Sequence, residues 1–211
     1  MTEKKPLLFT VFVEVRASSK TEFNRWYNQV HVPEVMECPG FLSARRYEAV
    51  DLEATYMAAY QLAGEDALES PEFGVARGWK EMQPEVIRYS LALYEHIYTA
   101  PPGSAARSGQ EPTLLRFNRS NAMPEKEDEY NRWYNHIHLP ELLECPGWLS
   151  AFRYRAIRGE PKYLALYDIS GPSAFESPEF LKARGWKEME PYVYDLSNVT
   201  YRPIFEYQRR E

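Results

Sequence analysis

The apolar positions of this chain change rhythm several times, and each change marks an element. Residues 7–15 are nearly all apolar and β-branched or aromatic, which predicts a buried strand. From about residue 20 to 37 apolar positions recur every three or four residues, the period of a helix. Ser18-Ser19 stands where an N-cap belongs and Cys38-Pro39-Gly40 stops the pattern. Residues 41–47 and 56–62 predict two strands joined by a polar turn around Asp51-Leu52-Glu53. A second helical region follows, capped by Ser70 with Pro71 in its first turn. It sets Phe73, Ala76, Trp79 and Met82 on one stripe and ends at Pro84. Residues 86–97 predict a long fourth strand.

The same succession then begins again. Asn24-Arg25-Trp26-Tyr27-Asn28-Gln29-Val30-His31-Val32-Pro33-Glu34 returns as Asn131-Arg132-Trp133-Tyr134-Asn135-His136-Ile137-His138-Leu139-Pro140-Glu141, and the offset of 107 residues holds along the whole chain. About 40 of roughly 94 paired positions are identical without a gap, so this is an internal duplication. The expected organisation is a first repeat over residues 1–99, a Pro- and Gly-rich flexible linker over 100–112, and a second repeat over 113–211. Within each repeat the order is strand, helix, strand, strand, helix, strand, the ferredoxin-like arrangement, so the fold class is α+β.

Composition narrows the function. With 211 residues and a net charge of −6, each repeat is large enough for a core. The acidic balance argues against a nucleic-acid partner. No apolar run approaches a membrane span, and the first six residues lead into a short apolar segment with no cleavage site, unlike a signal peptide. Cys38 and Cys145 occupy matching places and read as reduced, partly buried side chains of a cytoplasmic protein. Aromatic residues make up 15% of the chain, which fits either an aromatic-lined cavity or an aromatic core.

A ferredoxin-like unit with Trp-Tyr-x-x-x-His-x-Pro on its first helix resembles the dimeric α+β barrel superfamily, and within it the EthD-like proteins. The resemblance covers both repeats. It implies two four-stranded sheets joined within one chain as a fused pseudo-dimeric barrel, with a ligand cavity between a unit's sheet and its own helices. It also implies a histidine lining that cavity, and a monomer or modest homo-oligomer, because a fused pair already buries the usual interface.

Candidate chemistry centres on the repeated stretch. Phe23, Trp26, Tyr27, Val30 and Glu34 fall on one helical stripe, and His31 borders it. A Tyr-His-Glu line on the inward edge of a helix needs partners or a function. Tyr27, His31 and Glu34, with Tyr134, His138 and Glu141 in the second copy, are therefore the candidate catalytic residues. The imidazole would be the base, the phenol a donor and the carboxylate the orienter; a core histidine bonded to Glu34, or to carbonyls freed by Pro33, is the alternative. Candidate substrate-binding residues are Trp26 and Trp133, Asn28 and Asn135, Arg46 and Arg153, Tyr60 and Tyr167, and Trp79 and Trp186. Phe9, Val11 and Val13 correspond to Arg116, Asn118 and Ser120, so one strand face turns polar in the second copy. Arg116 and Asn118, further candidates to bind substrate through an anionic or carbonyl group, make the second repeat the expected seat of activity. No metal site is expected: His136 and His138 point about 200° apart on a helix.

The leading expectation is a cofactor-independent enzyme that uses His-centred acid–base chemistry on a small aromatic, terpenoid or polyketide-like carbonyl compound. The step would be an isomerisation, cyclisation, decarboxylation or lyase reaction. A cofactor-independent or haem-related monooxygenase and a non-catalytic ligand-binding or stress-responsive barrel are the rivals.

Overall fold

The computed structural model describes residues 5–103 and 109–207. Residues 1–4 of the N-terminal stretch and residues 104–108 of the expected linker lie outside the described residues. By packing, the chain divides into two units. Among the described residues, the first takes in residues 5–96, Ile157–Gly159 and residues 202–207; the second takes in residues 97–103, 109–156 and 160–201.

In the first unit β1 (Leu7–Val15) leads to α1 (Lys20–Trp26), a π-helical turn (Tyr27–His31) and α2 (Val32–Met36), each continuing the last. The strands β2 (Phe41–Ala49) and β3 (Thr55–Leu62) follow, then α3 (Pro71–Ala76) and β4 (Val86–Thr99). The second unit repeats this as β5 (Leu114–Ala122), α4 (Glu127–Trp133), a second π turn (Tyr134–His138) and α5 (Leu139–Leu143), then β6 (Trp148–Arg158), β7 (Tyr163–Ile169), α6 (Pro178–Ala183) and β8 (Val193–Tyr207).

The first sheet is antiparallel in the order β4-β1-β3-β2, with Val11 opposite both Ala58 and Leu91. The second has the order β8-β5-β7-β6, with Asn118 opposite Ala165 and Asn198. Both are the ferredoxin-like α+β arrangement. Each unit has its own core. Phe23, Trp26, Tyr27 and Val35 of the first helix pack on Phe9, Val11, Tyr56 and Tyr60 of the sheet. Tyr130, Trp133, Tyr134 and Leu142 do the same over Ala151, Tyr163 and Tyr167.

Two local expectations need correction. The second helical region is not one helix. Ser70 does cap it, its hydroxyl accepting the Phe73 N–H at 3.2 Å, but α3 stops at Ala76. Arg77 is extended, and Gly78 and Lys80 have φ of +95° and +44°. Trp79 and Met82 are buried from the separate 3-10 segment that follows, because a left-handed glycine breaks the helical period. Nor does Ser19 cap α1: its hydroxyl donates to Glu85 instead.

Gly40 and Gly147 close the first helix of each unit with φ of +83°, and a Cβ on either would stand 2.7 Å from the Cβ of Ala67 or Ala174. Left-handed backbone and overlap act together here. Gly40→Ala and Gly147→Ala should each lower stability by about 2 kcal/mol in urea unfolding, whereas Gly185→Ala, with open space around it, should cost less.

Candidate functional site

The repeated stretch forms a helix with one turn widened. Val32 N–H donates to the Tyr27 carbonyl and Leu139 N–H to the Tyr134 carbonyl, five residues back rather than four. The next residue in each copy is proline, which has no N–H and whose ring crowds the carbonyl four residues before it. Widening the turn ahead of the ring removes that conflict.

The extra residue per turn decides where the histidine points. On a regular α-helix His31 would lie about 140° from Trp26. Here its ring stacks on the Trp26 ring, centroids 4.9 Å apart and planes within 16°, and meets Tyr27 edge-on at 4.8 Å. The second copy repeats this: His138 stacks on Trp133 at 4.7 Å and 13°. Both histidines are buried, and Val30, expected on the inward stripe, is 39% exposed. The π turn shifts the inward face by one residue.

Beneath the helix lies a buried cation. Arg46 and Arg153 are fully buried on β2 and β6. Arg46 donates to Asn28 Oδ1 at 2.5 Å and to Asn24 Oδ1 at 2.9 Å; Arg153 donates to Asn135 at 2.7 Å and Asn131 at 2.9 Å. Tyr27 covers the Arg46 guanidinium at 4.0 Å, flanked by Phe23 and Tyr56; Tyr134, Tyr130 and Tyr163 cover Arg153. Burial lowers the Arg46 pKa to about 10, against the surrounding tyrosines and Glu48, so it stays charged at neutral pH. The four residues expected to bind substrate, Asn28, Asn135, Arg46 and Arg153, thus bond to one another and tie helix to sheet.

The expected Tyr-His-Glu line also changes. Glu34 bonds Lys80 at 2.5 Å and Glu141 bonds Lys187. Nδ1 of His31 and of His138 is sealed from solvent with no partner. Burial first, then the Lys80 cation, lowers the His31 pKa to about 4, with Glu34 opposing and Arg46 adding to the fall. Burial, Lys187 and Arg153 take His138 to about 3. Each is a neutral imidazole at physiological pH, and Glu34 and Glu141 are each paired with a lysine. Tyr27 and Tyr60 are buried, their hydroxyls 3.4 Å apart, and desolvation raises both pKa values. The pair Tyr134 and Tyr167 stands at 2.8 Å, likewise raised by burial.

A cavity of about 580 Å³ opens in the first unit between the sheet and its helical segments. Phe9, Val11, Leu91 and Leu93 form the sheet side, Val35, Leu68 and Phe73 the helical side, and His31, Tyr60 and Trp79 also line it. Its polar rim of Glu69, Arg77, Gln83 and Arg158 was not foreseen; Arg158 has no counterpart signal, since its pair in the duplication is Asp51. Tyr27, Trp26 and Glu34 are not on the wall.

In the second unit several of the equivalent positions are bulkier or polar. Gly74 becomes Leu181 and Leu68 becomes Phe175. Arg116, expected to bind substrate, donates to Asn118 at 3.2 Å and to Thr200 at 2.8 Å and lies over Phe175. Trp186 packs on Tyr130, Tyr134 and His138. Cys38 and Cys145 are free and buried. Among the described residues there is no cluster able to hold a metal ion, and no helix is long and apolar enough to cross a membrane.

Comparison with known proteins fits this geometry. A family model described as a domain of unknown function, DUF4286, matches residues 6–94. No curated protein matches the chain. Among solved structures, an anthrone oxidase-like protein superposes with a TM-score of 0.73 at 13% identity, covering 98% of this chain and 94% of that one. A candidate monooxygenase from Fusobacterium nucleatum gives 0.64 at 10% identity, with 98% and 95% covered. A chlorite dismutase variant from Candidatus Nitrospira defluvii gives 0.56 at 7%, with 95% and 93% covered. The fold is that of the dimeric α+β barrel proteins with ferredoxin-like units.

Two predictions follow from the site. Arg46→Lys loses the fork that serves two amides at once and should cost about 3 kcal/mol in urea unfolding. The histidines link stability to pH. Because the folded pKa of His31 lies near 4 and the unfolded value near 6.5, the unfolded chain binds the extra proton between those limits, so stability falls as pH drops through that window. The His31 component is of the order of 3 kcal/mol. Urea midpoints measured from pH 7 to 4 should fall less steeply in His31→Gln than in the wild type.

Proposed function

We propose that the first unit is the working half, and that its cavity binds a small, planar, largely apolar compound with an oxygen function placed against His31. The observation that carries this reading is a neutral imidazole set in an aromatic wall beside space for a ligand. Such pockets, mostly apolar with a few convergent polar groups, are the usual form of small-molecule sites.

With Nδ1 sealed and His31 on the cavity wall, we assign the ligand contact to Nε2. A neutral imidazole there accepts a proton from an acidic C–H or O–H next to a carbonyl or aromatic system. Burial and the cations of Lys80 and Arg46 disfavour the imidazolium, so the proton is held briefly and returned. That behaviour suits an isomerisation or related lyase step without a cofactor. Tyr60, kept protonated by burial, donates to Tyr27 across 3.4 Å; in this reading its hydroxyl turns from Tyr27 to the developing oxyanion when a ligand enters. Cytoplasmic location accords with the two free thiols.

Oxidation by molecular oxygen is the second reading. Proton removal leaves an electron-rich anion, which is also the reactive species when oxygen attacks a substrate directly. The likeness to an anthrone oxidase-like protein and to a candidate monooxygenase favours testing it, and oxygen uptake during turnover separates the two.

A thermal-shift screen of small phenols, quinones and ring lactones tests the common core of both. A binding compound should raise the melting point of the wild type and of His138→Gln but not of His31→Gln. Gly74→Leu places the second unit's residue at the cavity wall, where a new Cβ meets nothing within 4 Å. It should keep its stability, since leucine is the better helix former, yet bind the same compound at least about tenfold more weakly, roughly 1.4 kcal/mol. Equal ligand shifts in wild type, His31→Gln and Gly74→Leu would remove the first-unit assignment.

A further inference from the structure

From the rim of this cavity we infer that its ligand carries a carboxylate, and that Arg77 is the group that receives it. The inference rests on the small-molecule reading above and specifies the class of compound: a planar aromatic acid.

Four side chains able to carry charge line the cavity, namely His31, Glu69, Arg77 and Arg158. His31 is neutral at physiological pH. Arg158 is taken up by two carboxylates: its Nη1 donates to Glu69 at 2.5 Å and its Nη2 to Glu65 at 3.3 Å. Lys80 and Glu34, nearby but off the wall, are likewise paired. Arg77 has no acidic partner among the described residues, and so is the cation of the wall that no carboxylate occupies.

The backbone explains how it comes to be there. Had the helix continued past Ala76, Arg77, Gly78 and Trp79 would have pointed in three different directions. Instead Arg77 is extended and Gly78 left-handed, and all three consecutive residues line the cavity. A flat body set against Trp79 therefore lies next to a guanidinium in sequence and in space. Guanidinium binds carboxylate with two parallel hydrogen bonds, and the apolar wall beyond, from Phe9 to Phe73, receives the uncharged body. The acid end stays at the rim, where Arg77 is exposed, and the body reaches inward to His31. A negative ligand also offsets the cations that disfavour protonated His31, so the anchor and the proposed proton transfer reinforce each other.

Naphthoate, naphthol and naphthylmethylamine share one body and differ in charge. Their Kd values, measured by equilibrium dialysis at neutral pH, test the inference. Naphthoate should bind the wild type at least tenfold tighter than the other two, with the gap narrowing as salt is raised. Arg77→Gln should abolish that preference and leave naphthol binding unchanged, Arg77→Lys should restore part of it, and Arg184→Gln, the equivalent change in the second unit, should retain all of it. Circular dichroism melting confirms that each variant is folded. If the three compounds bind the wild type equally, or Arg77→Gln keeps the preference, the carboxylate inference is overturned while the cavity reading stands. If none binds the wild type, both fall.

Discussion

The guanidinium of Arg46, and of Arg153 in the second unit, is the constraint on which the rest depends. A fully buried cation is costly unless its donors and its charge are both met. Two asparagine oxygens one helical turn apart take the terminal nitrogens, and a tyrosine ring covers the charge at 4.0 Å. These partners come from one helix and the cation from the sheet, so the contact sets how the helix lies. With Asn24, Tyr27 and Asn28 committed to Arg46, the widened turn that follows has one orientation, and it stacks His31 on Trp26.

That chain of causes explains why the repeated stretch is repeated even where the two units differ. Asn, Tyr, His, Pro and Arg recur because they form one mechanical device, a proline-adjusted π turn bolted to a strand. The walls recur less well. Gly74, Leu68, Phe9 and Val11 are replaced by Leu181, Phe175, Arg116 and Asn118, and the polar replacements bond to one another and to Thr200. Duplication preserved the scaffold, and the cavity wall diverged.

The electrostatics follow from the same packing. The stack that turns the histidine inward also strips it of water, and the lysine that pairs with Glu34 adds a cation nearby. Both effects lower its pKa. The carboxylate that sequence spacing placed beside the histidine is instead occupied by Lys80, a residue 46 positions further on.

Much was legible in the sequence for physical reasons. Apolar periodicity predicts the six elements of each unit, Ser70 and Pro71 predict a cap, and the duplication predicts two ferredoxin-like units, because these depend on local geometry and on burying one face. His31, Tyr60 and Trp79 could be picked out as candidate site residues because polar and aromatic groups on inward faces are uncommon. What spacing could not convey was phase and pairing. One extra residue in a turn exchanged Val30 for His31 on the inward face. A left-handed Gly78 turned an expected helix into an extended lip carrying Arg77. Arg158 reaches the cavity from a distant part of the chain. Which carboxylate meets which cation, and whether an asparagine faces a ligand or a buried arginine, is decided by contacts between residues far apart in sequence, and only the tertiary structure brings those together.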